Sequence, residues 1–440
     1  MISIDHYRCA YCGGCVSVCP MDALTLAETR LVVGESCIDC GDCVSACPMG
    51  ALALEATRAQ TAQGQRQYDV VVVGAGPGGA TAAHVAAKTG LAVLLIEKRQ
   101  EIGSPVRCAE GVGHDQLVQF IEPDTRWIAA EISQAEITTI ADGTTQTPLA
   151  PPARAGVRAG GGRGYILERR IFDRVLAERA AKVGAEVRVK TAATGLLIQV
   201  AGHGSQVAGV RIKQGDSEIE VQTQVVIAAD GVEAQVGRWA GLDVQLPLKD
   251  TMVCAQYLLA GIDIDPTCTY YTISHAVAPG GYAWIFPKGK AEANVGLGVQ
   301  ADLPRAGSAL DLLNRFIESN PALARGYPVT LIAGNVPVAL PPARMVTDGL
   351  MLIGDAARQV DPLTGGGIIN AMTAGRLAAQ VAVEAIAARD TSANFLSRYA
   401  DEWRKTTGRK MERNYRLREK FAPMERVDAR FVQAFMLSVK

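Results

Sequence analysis

Two cysteine runs of one spacing constrain this chain more than any other feature. "CAYCGGCVSVCP" runs from Cys9 to Pro20 and "CIDCGDCVSACP" from Cys37 to Pro48. Each reads C-x2-C-x2-C-x3-C-P, a spacing in which three close thiolates grip one face of a [4Fe–4S] cube and the fourth reaches the other cube. The assignment is therefore Cys9, Cys12, Cys15 and Cys47 for one cluster, and Cys37, Cys40, Cys43 and Cys19 for its twin. Gly13, Gly14 and Gly41 allow tight turns that aim amides at sulfur, while Pro20 and Pro48 stop the helix that each fourth Cys leaves. Disulfides and zinc are the competing readings. Zinc sites do not call for this tandem eight-cysteine spacing. The chain opens on "MISIDHYRCAYC" and not on a secretory pattern, and oxidation would endanger the thiols, so a cytoplasmic setting is expected.

The next signal is "YDVVVVGAGPGGATAAHVAAKTGLAVLLIEKR". Val70 to Val73 read as a buried parallel strand, Ala80 to Lys88 as a helix, and Leu91 to Ile96 as a second strand. Gly74, Gly76 and Gly79 fit G-x-G-x-x-G, with Gly78 beside them. That loop lets a pyrophosphate approach the helix N-terminus, and Glu97 is spaced to take a ribose. Two later strand ends, at Asp230–Gly231 and Gly354–Asp355, precede turns, and Gly365 to Gly367 then open a small-residue helix. An NAD dehydrogenase would share the first of these features.

Residues 1–57 resemble a bacterial-type ferredoxin domain, and the small polar stretch 58–67 reads as a linker. The glycine loop, the two strand ends and "YILERRIFDRVLAERAAKVGAEV" together resemble FAD-dependent oxidoreductases of the p-hydroxybenzoate-hydroxylase type. That resemblance implies that Asp355 holds the ribityl chain, that Gly354, Gly366, Gly367 and Ile368 lie along the flavin with Asp230 near it, and that Arg169 contacts it. "SPVRCAEGVG" and "APGGYAWIFPKG" narrow the likeness: over about residues 68–400 the chain resembles the geranylgeranyl reductase family. By that resemblance Cys108, Ala109 and Gly111 lie against the flavin, and Tyr282, Trp284, Phe286 and Pro287 line a prenyl tunnel.

Several of these residues carry a plainer reading. Tyr282, Trp284 and Phe286 share one face of a strand, in a chain with 5% aromatics, yet ordinary sheet-core packing would place them there too. Lys288 could anchor a phosphate at the tunnel mouth or be a solvated surface lysine. Cys108 could bear on catalysis or simply pack. Glu110, next to it, is a candidate proton donor against a structural hydrogen-bonding acid. Cys254 and Cys268 read as core, and no histidine has ligand spacing.

The resemblance implies a fold of class α/β: a ferredoxin-like α+β head and a Rossmann-like FAD domain with an inserted antiparallel-sheet substrate domain. The expected boundaries are 68–245 for the first FAD segment, 246–340 for the sheet, 341–385 for the FAD return and 386–440 for a helical tail. The implied activity is reduction of isoprenoid C=C bonds, with electrons passed from an external donor through the two [4Fe–4S] clusters to FAD. The other redox reading is a ferredoxin-coupled quinone reductase; oxygen-sensitive clusters argue against a monooxygenase.

Net charge is −1, so no global field invites nucleic acid. Charge is uneven, however: residues 1–60 hold seven acids against three Arg, and residues 401–440 eleven Lys/Arg against six acids. The basic tail could meet an anionic membrane peripherally, dock the acidic head, or be a solvated helix face.

Overall fold

The computed structural model describes residues 2–27, 30–54, 66–141, 144–146, 163–201, 204–214, 217–422 and 429–438. Most of the expected linker lies outside these residues; Arg66 and Gln67 already belong to the first long strand, Arg66–Val73.

In the head, Ile2–Ile4 pairs with Leu52–Leu54 and Leu24–Ala27 with Arg30–Val33, both antiparallel. Each cysteine run contributes one helical turn, Gly14–Ser17 and Asp42–Ser45. Gly13 (φ 77°) and Gly41 (φ 85°) start these turns in the left-handed region, a conformation that glycine adopts at no steric cost. Both turns end before the fourth cysteine of their run.

The largest sheet is Rossmann-like at its centre. Glu186–Arg188, Val93–Ile96, Arg66–Val73 and Ser217–Ala228 run parallel, and Leu350–Leu352 adds in parallel on the last of these. Their side chains read as near-continuous Val, Ile and Leu because both faces are covered. The helices Pro77–Ala87, Arg169–Lys182 and Ile368–Ala388 pack together on it. The first and last of these touch backbone to backbone. A Cβ on Gly375 would stand 2.2 Å from the Gly78 carbonyl oxygen, and one on Gly78 2.9 Å from that of Ala371.

A second sheet of seven strands runs in the order Thr144–Gln146, Gln134–Ala141, Cys268–Ile273, Tyr282–Pro287, Glu292–Gln300, Thr251–Ala260, Tyr327–Pro337. Here the expectation needs two corrections. The sheet draws residues 134–141 and 144–146 from the segment assigned to the FAD domain. It is also not wholly antiparallel, because Gln134–Ala141 pairs in parallel with Cys268–Ile273. That pairing joins residues more than a hundred positions apart, beyond the reach of local pattern. On the outer face lies the amphipathic helix Ala309–Ser319, started by a Ser308–Asp311 capping box, with Leu312, Leu313 and Phe316 buried against Ile285, Val295 and Leu297.

The tail is helical, but not as one solvated rod. Helices Ala393–Trp403 and Arg409–Phe421 bury Tyr399, Trp403 and Met411 in the FAD core. Arg418 reaches the Asp250 carboxylate at 3.1 Å. Among the described residues no helix is long and apolar enough to cross a membrane. The acidic head meets Lys190 and Lys213 of the FAD unit.

Candidate active site

One cavity of about 1330 Å³ runs between the two large sheets. One end is dinucleotide-shaped. Gly74, Gly76, Gly78 and Gly79 line it where Val73 gives way to the helix beginning at Pro77. Gly79 is required by close packing, since a Cβ there would lie 1.9 Å from the Gly74 carbonyl oxygen. Gly76 is different: a Cβ there would meet nothing within 4 Å, so its backbone faces open cavity at the helix N-terminus. An anionic pyrophosphate suits that position. Glu97 stands at the end of the second strand, its carboxylate taking the Ala75 and Arg99 amides at 3.2 and 3.0 Å, and it lines the same space.

Further along, Asp230, Gly354, Asp355, Gly366, Gly367 and Ile368 all line the cavity. Asp230 takes the Val236 amide at 2.9 Å through one oxygen, while the other is buried with no protein partner. Burial raises the Asp355 carboxyl above its usual range, and the nearby Arg169 guanidinium partly opposes the rise. Open backbone, an orphaned carboxylate oxygen and a buried acid fit the pyrophosphate and polyol chain of FAD.

The loop Cys108–Gly111 forms the floor between the two ends. The Cys108 Sγ accepts the Glu110 amide at 3.2 Å, and burial pushes the thiol up, so it stays protonated near neutrality. Gly111 allows the Phe286 ring to come close: an added Cβ would lie 3.2 Å from Cε2. Two of the residues singled out in the sequence change role here for a physical reason. Glu110 is buried, and its carboxylate accepts from the Arg169 amide (2.8 Å), Lys288 Nζ (2.7 Å) and Asn294 Nδ2 (2.7 Å). With those donors in place it is an acceptor that pins the loop, not a proton donor. Lys288 is spent on the same knot, also meeting Glu168 at 3.0 Å and the Leu167 carbonyl at 2.8 Å. It is therefore neither a phosphate anchor nor a surface lysine. Neither Lys288 nor Pro287 is in the cavity wall. Arg169 lines the cavity, but its guanidinium is a bidentate partner of Asp173 at 2.8 and 2.7 Å.

The apolar end is an aromatic ladder. Tyr282, Trp284 and Phe286 face the cavity, while Ala283 and Ile285 turn to the opposite core. Opposite them on the neighbouring strand are Gly298, Gly296 and Asn294. A Cβ on Gly296 would be 2.5 Å from the Trp284 indole, so this glycine makes room for the ring. The "NVGLGVQ" glycines were the available signal for that register. Tyr271 and Phe435 complete the group, with ring centroids 5.5 Å apart, and Phe435 lies 5.0 Å from Tyr282. The sequence did not point to Gln256. It is buried on strand Thr251–Ala260, donates to the Cys108 carbonyl (3.1 Å) and accepts from Trp284 Nε1 (2.8 Å), tying loop to ladder.

The head holds two smaller cavities. One is lined by Cys9, Cys12, Cys15 and Cys47, the other by Cys19, Cys37, Cys40 and Cys43. Each thus gathers three thiols of one run and the fourth of the other. Backbone amides reach the sulfurs: Tyr11 to Cys9 (3.4 Å), Ala23 to Cys19 (3.3 Å) and Ala51 to Cys47 (3.2 Å). Among the described residues no three such groups close in as they would on a single ion. Four thiols around a cavity fit a cube instead.

Family models match three segments between residues 1 and 336. Residues 250–336 match the geranylgeranyl reductase catalytic domain, 67–276 an FAD binding domain and 1–65 a 4Fe-4S dicluster domain. A digeranylgeranylglycerophospholipid reductase of Methanosphaerula palustris is 48% identical over 81% of this chain and 86% of its own. Digeranylgeranylglycerophospholipid reductase 2 of Methanococcoides burtonii is 48% identical over 80% and 84%.

The chain belongs to the geranylgeranyl reductase family. Among solved structures, a geranylgeranyl bacteriochlorophyll reductase-like protein of Thermoplasma acidophilum superposes with a TM-score of 0.73 at 40% identity, covering 82% of this chain and 89% of that one. A flavin-dependent brominase, at 19% identity and TM-score 0.61, shares the fold. This member of the geranylgeranyl reductase family is an oxidoreductase carrying FAD and two [4Fe–4S] clusters.

Proposed function

We propose that this protein saturates the geranylgeranyl chains of a digeranylgeranylglycerophospholipid, using electrons relayed by its clusters to FAD. The observation that carries the reading is the continuity of one cavity from the dinucleotide loop to the aromatic ladder. A prenyl chain offers almost no polar handle, so it must be held by apolar burial, at roughly 25 cal/mol per Å². Tyr271, Trp284, Phe286 and Phe435 supply that surface and exclude water. The names of the relatives supply the lipid class.

In this reading the eight head cysteines hold the clusters, three from one run and one from the other for each. Gly76 and its helix receive the pyrophosphate, Glu97 the adenosine ribose, and Asp355 the ribityl hydroxyls. Bound FAD, once reduced, would supply a hydride equivalent to one alkene carbon, and a proton delivered to the other carbon would complete the saturation. Cys108, Ala109 and Gly111 shape the face on which the alkene lies, Glu110 and Lys288 hold that loop from beneath, and Gln256 fixes it relative to Trp284. Arg169 stays paired with Asp173 and lends its charge to the buried Asp355.

The head-group phosphate has a better partner than Lys288. Lys410 lines the cavity and is 42% exposed, its ammonium 4.0 Å from the Asp361 carboxylate, with Thr406 and Thr407 beside it in the wall. Arg404, Lys405, Arg409, Arg413 and Arg416 are exposed on the same stretch. That basic surface supports peripheral contact with an anionic bilayer, where such a lipid resides.

Anaerobic mass spectrometry tests the function. The reduced protein is mixed with digeranylgeranylglycerophospholipid, and each saturated bond is expected to add the mass of one hydrogen molecule. An unchanged lipid mass, with the flavin rapidly reoxidised by a quinone instead, would replace the proposal with quinone reduction.

A further inference from the structure

The two clusters of the head are not equivalent in their surroundings. Lys190 follows the strand Glu186–Arg188 in a left-handed conformation (φ 53°). Its amide donates to the Arg99 carbonyl at 2.8 Å, and the next amide, of Thr191, donates to that of Glu97 at 2.9 Å. Lys190 is thus built into the rim of the FAD cavity. Its Nζ donates at 2.8 Å to the carbonyl oxygen of Cys9 and lies 5.3 Å from the centre of the Tyr11 ring. A second lysine of the FAD unit, Lys213, meets Asp5 at 3.4 Å and the face of Tyr7 at 4.9 Å. Tyr7 itself lines the large cavity. Cys12 and Cys40 are exposed alike, but the other thiol set differs at its first member: Cys37 is half-buried where Cys9 is buried, and Ile38 beside it is 60% exposed.

We propose that the cluster of Cys9, Cys12, Cys15 and Cys47 is the inner relay, and that Lys190 seats it on the FAD unit and raises its reduction potential above that of the outer cluster. The inference rests on the ligand sets proposed above and not on the identity of the lipid. A half-buried ammonium at a ligand's own carbonyl stabilises the extra negative charge of the reduced cluster, because protein screens charge less than water does. Its more distant twin feels less of that field. The outer cluster then takes one electron from a low-potential one-electron donor and passes it inward, returning to its oxidised state. Two such transfers, with two protons from solvent, complete the reduction of one FAD.

The test uses the full holoprotein and electron paramagnetic resonance during a redox titration, without lipid. Lys190→Met is expected to shift the midpoint potential of one cluster downward and to slow flavin bleaching after mixing with reduced viologen. Lys190→Arg should restore the potential. Lys213→Met, at a lysine that meets Asp5 and Tyr7 and not a cysteine carbonyl, should slow bleaching with both potentials unchanged. Cys12→Ser alters or deletes the inner signal and so names the signal that moved. Unchanged potentials in Lys190→Met, a shift shared equally by both clusters, or a shift confined to the outer signal would each overturn the proposal. Because every readout is independent of alkene reduction, its failure is distinguishable from that of the reductase reading.

Discussion

At the scale of single residues, the pair Glu110–Lys288 shows how a buried charge becomes structural. The carboxylate and ammonium are 3% and 6% exposed and 2.7 Å apart, with Asn294, the Arg169 amide and the Leu167 carbonyl satisfying further valences. Removing Lys288 leaves the buried Glu110 carboxylate without its ammonium partner, which costs on the order of 3–5 kcal/mol. Lys288→Met is therefore expected to lower the melting temperature sharply, and Lys288→Met with Glu110→Gln to recover part of the loss. A double-mutant cycle by denaturant titration reads the coupling. A wild-type melting curve for Lys288→Met, with a raised KM for the phospholipid, would return Lys288 to the phosphate role. The 178 positions separating the two residues explain why neighbouring sequence did not reveal the bond.

At the scale of elements, the aromatic strand and the C-terminal helix depend on each other. Tyr282–Pro287 was legible because alternation on a strand puts three rings on one face. Its floor was legible in retrospect, in the glycines at 296 and 298. What covers the ladder was not: the helix Ala429–Ser438 brings Phe431, Val432 and Phe435 onto it. Phe435 is fully buried, and a Phe-to-Ala change in such a place costs about 3–5 kcal/mol. That loss falls on a short helix whose described anchors are those three side chains. Phe435→Ala should therefore undock the helix while leaving the sheets folded. Hydrogen exchange is expected to rise across residues 429–438 alone, and oxygen should oxidise the reduced flavin faster. Global unfolding would instead make the helix part of the cooperative core.

At the scale of the whole molecule, the head and the body differ in what holds them. The body has an extended core of Val, Ile, Leu and Ala on both sides of its central sheet. The head's core comprises Ile2, Leu24, Leu31, Ala51 and Leu52 among its cysteines, too little to order so short a segment without metal. Stripping iron under oxidising conditions with a chelator should therefore unfold residues 2–54 and leave FAD bound. Protease cleavage confined to the head, alongside an intact flavin absorption band, is the expected result. Loss of the flavin band in step with the cluster absorption would mean that the two units fold as one.

Local chemistry accounts for what the sequence determined by itself. Thiol spacing within each run, the close approach of Gly79 to Gly74, an acid at a strand end and aromatic alternation are all set by neighbours within one turn or one strand. Tertiary structure alone decided the rest: the parallel insertion of Gln134–Ala141, the Glu110–Lys288 knot, the Gln256 tie and the seat of the head on Lys190. In each of these, side chains or backbone separated by more than a hundred residues satisfy one another's hydrogen bonds or charge. Such pairings leave no periodic trace, because their energy is realised only once both large sheets have formed.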